Sequence, residues 1–81
     1  MSRESKLQAL LEEIVGNAII AGRAARRRYA TDPNELAAVM AYYDIIDVAK
    51  EQAEILGIKF ADRTIASFDA DAELLGVKKA A

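Results

Sequence analysis

The sequence predicts an all-α protein: an antiparallel helical hairpin with a short third helix, assembled as an oligomeric bundle. Three observations predict it. Apolar residues recur in alternating steps of three and four through two long stretches, the spacing that lines one side of a helix. A helix-start signal, Thr31-Asp32-Pro33-Asn34-Glu35, stands between those stretches. The chain has 81 residues and no cysteine or histidine. One small domain of that kind has neither disulfides nor thiolate or imidazole metal sites to stabilise it, which leaves partner subunits.

The first helix is expected over about residues 5–29. Ser5 followed by Gln8 reads as a capping box. Leu7, Leu11, Ile14, Ala18, Ala21 and Ala25 form its apolar line. Arg26, Arg27 and Arg28 in the last turn suit the negative end of the helix dipole. Asp32 as cap, Pro33 in the first turn and Glu35 then open a second helix, over about 33–56. That helix carries two neighbouring lines: Val39, Tyr42, Ile46, Ala49, Ala53, Leu56, and Ala38, Ala41, Ile45, Val48, Gln52, Ile55. One docked partner needs an apolar arc of about 100°. The two lines together are wider, so this helix should touch at least two others. Val39, Tyr42, Ile45, Ile46, Val48 and Ile55 are the expected oligomer seam, in a homodimer or homotetramer. Tyr43, at the seam's edge, is expected to line an interface.

The loop is short, so the helices should run antiparallel. Small Ala18, Ala21, Gly22 and Ala25 then face bulky Val39, Tyr42, Tyr43 and Ile46. Bulky Leu7, Leu11 and Ile14 face Ala49 and Ala53. Such alternation fills space between helices. Ala53-Glu54-Ile55-Leu56-Gly57-Ile58-Lys59 is echoed by Ala72-Glu73-Leu74-Leu75-Gly76-Val77-Lys78. Both read as helix exits, with glycine in the left-handed position. A third helix should therefore end near Leu75, with Ile65, Phe68, Ala72 and Leu75 inward. Asp69 and Asp71 interrupt it, and a shorter helix starting after Asp69 is the alternative.

The apolar fraction of 53% and charged fraction of 30% exclude a disordered chain. A net charge of −2 gives no overall attraction to nucleic acid or anionic membrane. Glu12, Glu13 and Asn17 break up the first helix, which is neither a signal peptide nor a membrane span, so a cytoplasmic protein is expected.

No complete catalytic or ligand-binding signature is present. Arg23, Arg26, Arg27 and Arg28 gather near the hairpin tip, where guanidinium groups and free backbone N–H donors suit a phosphate or carboxylate. Their plainer reading is charge pairing with Asp32, Glu35 or a neighbouring subunit. The echo also resembles the end of the first helix of a helix-turn-helix. Only Lys59 and Arg63 favour DNA there, so nucleic acid is disfavoured. Glu12 and Glu13 on the first helix, and Asp44 and Asp47 one turn apart on the second, could hold Mg²⁺; their plainer reading is a solvated polar stripe.

Leu11-Glu12-Glu13-Ile14-Val15-Gly16, Asp44-Ile45-Ile46-Asp47-Val48 and Ala53-Glu54-Ile55-Leu56-Gly57-Ile58 resemble the MazG-like all-α nucleoside triphosphate pyrophosphohydrolases over about Glu12 to Phe60. The resemblance implies a magnesium site on Glu12, Glu13, Asp44 and Asp47, a nucleotide substrate, and dimers or tetramers. The family's third acid falls at Gly16 here, and the first acid of the second pair is Asp44 rather than glutamate. The expected function is a non-enzymatic oligomeric module that binds a protein or a small anionic partner. No cofactor is expected; Mg²⁺ enters only under the pyrophosphohydrolase alternative.

Overall fold

The computed structural model describes residues 2–77, which hold four α-helices and no strand. Helix α1 spans Arg3–Tyr29, and α2 spans Leu36–Leu56 after a 3₁₀ turn over Pro33–Glu35. Two short helices follow, α3 at Arg63–Ser67 and α4 at Ala70–Glu73. Lys78 of the echo lies outside the described residues.

The first cap differs from the expected one. Ser2, not Ser5, is the N-cap of α1, and its hydroxyl accepts from the Ser5 N–H at 3.1 Å. Ahead of the second helix the Asp32 carboxylate accepts from the Asn34 N–H at 3.0 Å, with Pro33 in the first turn as read; Glu35 does not complete a capping box but pairs with Arg28. Both glycine exits also form. Gly57 and Gly76 have φ of 71° and 72°. The following residues fold back, Ile58 N–H to Ala53 C=O at 2.8 Å and Val77 N–H to Asp71 C=O at 2.9 Å.

The third helix is broken, as its aspartates foreshadow. Asp62 caps α3 through the N–H groups of Thr64 and Ile65, and Asp69 caps α4 through that of Ala72. Each is a stronger start signal than a continuing helix can override. Ile65 and Phe68 point inward as expected, but Leu74 replaces Ala72 and Leu75 as the third buried residue.

Helices α1 and α2 pack together as a hairpin whose core is Val15, Ala18, Ile19, Ala25, Val39 and Ile46. The apolar line of α1 is therefore rotated from the expected one. It runs Leu11, Val15, Ala18, Gly22, Ala25, Tyr29, with Leu7 and Ile14 about half exposed. Sequence spacing admits either line, because α1 is apolar on both. The chain resolves the choice by covering one side of the hairpin with α3 and α4.

That cover is tied down at six points. Ile65 closes over Gly16, and Leu74 over Gly22, where an added Cβ would stand 3.7 Å and 3.4 Å from their methyls. The Glu12 carboxylate accepts from the Asp62 N–H at 2.8 Å, and Arg23 donates to Glu73 at 3.0 Å. The Tyr43 hydroxyl donates to Asp71 at 2.7 Å. Lys50 donates to the carbonyls of Ile65 and Phe68 at 3.1 and 2.7 Å, serving the end of α3. Glu12, Gly16, Ile19 and Arg23 step by four, three and four along one side of α1, as Tyr43 and Lys50 do by seven along α2.

Candidate functional site

The four arginines do not converge on one ligand. Arg23 is paired with Glu73 and stacks over the Phe68 ring at 5.1 Å. Arg28 pairs with Glu35 at 3.2 Å. Arg26 lies over the Tyr29 ring at 5.5 Å, and only Arg27 has no such contact among the described residues. One donor of the turn that opens the second helix is also occupied, because the Asp32 carboxylate accepts from the Asn34 N–H. The hairpin tip is thus partly neutralised, with Arg26, Arg27 and Arg28 against Asp32 and Glu35.

The four acids do not converge either. Glu12 is half-buried and holds the Asp62 N–H, whereas Glu13 accepts from its own neighbour Asn17 at 3.4 Å. Asp44 and Asp47 are exposed on α2. Among the described residues no group of three or more acids could hold a metal ion. Ile65 packs beside Gly16, where an added Cβ would stand 3.7 Å from its methyl. The aspartates do act on Tyr43. Its hydrogen bond to Asp71, its burial, and the charges of Asp71, Asp47 and Asp44 push the phenol from 10.0 up to about 12. Tyr43 thus ties α2 to the segment that carries Asp71. The roles of Glu12, Tyr43 and Lys50 in docking the cover were not read from the sequence. One signal existed: Lys50 stands one helical turn after Ile46, too close to the core for a purely solvated lysine.

The expected seam splits in two. Val39 and Ile46 are fully buried in the chain's own core, and Tyr42 packs against it beside Gly22. Val39 and Ile46 are thus used within the chain, and Tyr42 is partly buried. Ile45, Val48 and Ile55 remain uncovered, on the side of the hairpin away from α3 and α4. Leu7, Leu10 and Ile14 of α1 join them there. Between the two rows runs an apolar groove of about 190 Å³, walled by Leu7, Leu10, Ile14, Gln52 and Leu56 and floored by Leu11 and Ala53. Leu7, Leu10, Ile14, Ile45, Val48, Ile55 and Leu56 are each 46–68% exposed. At roughly 100 Å² apiece they present about 700 Å², more than soluble monomers usually leave contiguous.

No helix among the described residues is long and apolar enough to cross a membrane. The helix after the Gly57 turn has five residues and buries Ile65 in the hairpin, so it does not stand free as a groove-reading element. No protein-family model matches the chain, and no curated protein or solved structure matches it either.

Proposed function

We propose that the chain is a non-enzymatic, self-associating interaction module of the cytoplasm, working through the uncovered apolar side of its hairpin. One observation carries this reading. The chain spends four polar contacts and three buried apolar residues to cover one side of the hairpin. It leaves the other side bare, with a continuous row of large aliphatic residues. Exposed aliphatic area of this extent is costly in water unless another surface covers it. The row also has helical spacing, which suits a helical partner. The arginine tip, already paired, leaves Arg27 as the residue with most freedom to meet a small anion.

A photo-crosslinking amino acid at Val48 tests the reading, with Ala72 on the covered side as control. Adducts from Val48 and none from Ala72 are expected in cells expressing the protein. Equal yields from both positions, or none from Val48, would refute it.

A further inference from the structure

The bare side of the hairpin has an internal asymmetry. Its open end is bulky: Leu7, Leu10, Ile14, Val48, Gln52, Ile55 and Leu56. Toward the tip the equivalent rows turn small, with Ala21, Ala38 and Ala41, before Arg28 closes the α1 row. We infer that the occupant of this side is a second copy of the chain, turned end for end about a two-fold axis perpendicular to the helices, in an antiparallel four-helix bundle. The inference rests on the interaction-module reading and names its partner.

The α2 row is self-complementary under that axis. It runs Ala38, Ala41, Ile45, Val48, Gln52, Ile55. Reversed against itself it sets Ile45 beside the partner's Val48, Ala41 beside the partner's Gln52, and Ala38 beside the partner's Ile55. Each outer layer pairs one large residue with one small one. Reversal also matches the two kinds of seam position in a three-four repeat, the pairing that antiparallel helices adopt.

The α1 row meets the same condition in its inner layers. Gly22 lies beside Tyr42, and Leu11 and Ala53 share the groove floor, which fixes the register of the hairpin. An axis passing between Ile45 and Val48 therefore crosses α1 near Asn17 and Ala18. It places Ile14 over the partner's Ala21 and Leu10 over the partner's Ala24, and it sets Leu7 against the partner's Arg28, whose aliphatic stem can lie along it. A two-fold axis parallel to the helices would instead stack bulky ends on each other and leave a void at the tips. The area agrees as well. About 700 Å² of exposed aliphatic surface on each copy is close to the roughly 800 Å² per partner of a stable interface.

Sedimentation and cysteine crosslinking test this on the full chain, which has no native cysteine. The wild type should sediment at twice the chain mass. A mixture of Ala41→Cys and Gln52→Cys chains should oxidise to a disulfide-linked pair, while Ala41→Cys alone should not. Its symmetry mate lies roughly 16 Å away along the axis, at 1.5 Å per residue. That is beyond the roughly 7 Å between Cα atoms that a disulfide tolerates. A wild type at the chain mass at submillimolar concentration would overturn the dimer. So would a mixture that oxidises no faster than either variant alone. Should Val48 crosslink only to a different polypeptide, the dimer and the self-association both fall, and the bare side stands as an interaction surface. Should it crosslink to nothing, both fall.

Discussion

Replacing Leu74 by alanine should loosen the cover of the hairpin severely. Leu74 is 2% exposed, and both of its methyls reach the Gly22 position on α1. Burying a leucine and then truncating it costs about 2–5 kcal/mol, the larger figures where the surroundings cannot collapse. Here the opposite wall is helix backbone at a glycine, with no side chain to fill the gap. A loss of about 3–4 kcal/mol is expected on that ground. A domain of 81 residues has roughly 4–12 kcal/mol in all. Each kcal/mol moves the midpoint of a domain this size by about 4–8 °C, so Tm should fall by roughly 12 °C or more. Leu10→Ala is the control. Leu10 is 58% exposed on the bare side, so its truncation should cost under about 1 kcal/mol in the dissociated chain. Melts followed by far-UV circular dichroism at low protein concentration separate the two. A Leu74→Ala chain within about 1 kcal/mol of wild type would refute the account of the covered side.

Other perturbations follow from the same contacts. Gly16→Ala should stabilise the fold by about 0.5–1 kcal/mol, since its new methyl meets Ile65 at 3.7 Å, an ordinary contact, and α1 gains helix propensity. Gly22→Ala should not, because its methyl would meet the Tyr42 Cβ at 3.2 Å, an atom fixed to the α2 backbone; chemical denaturation ranks the two. The phenol of Tyr43 is raised from 10.0 to about 12, so the folded state prefers it protonated. That contribution is intact below pH 10 and is lost as pH rises from 10 to about 12. Tyr43→Phe should lack this part of the alkaline decline in stability; an unchanged decline would place its cause elsewhere. A nucleoside triphosphate with Mg²⁺ should leave the melting point unmoved, and Asp47→Asn should be silent, because Glu12 is engaged and the acids do not converge. A Mg²⁺-dependent rise of several degrees would restore the carboxylates as a site.

The hairpin was legible because its signals are local. Asp32-Pro33 and the two glycine exits each specify backbone geometry within a few residues, and all three form as read. The rotation of α1 was not legible. Leu7 and Ile14 are as apolar as Leu11 and Val15, and only the docking of Ile65 and Leu74, some fifty residues away, decides which row is inside. The same long-range choice hid the use of Glu12, Tyr43 and Lys50, whose partners are backbone N–H and C=O groups or a carboxylate on the returning segment. Of the candidate site residues, the uncovered Ile45, Val48 and Ile55 were legible as a second line on α2, because six residues hold the spacing with no charge among them. For the arginines and acids, sequence spacing does not show which partner arrives: Arg23 meets Glu73 and Glu12 meets the Asp62 N–H, each fifty residues away.

The most direct measurement is sedimentation of Val48→Glu beside the wild type, with circular dichroism on both. Val48 is 55% exposed in the single chain, so a glutamate there should leave the helices intact. The account predicts a wild type at twice the chain mass and a folded Val48→Glu at the chain mass. Both proteins at the same mass, whether one chain or two, would contradict it.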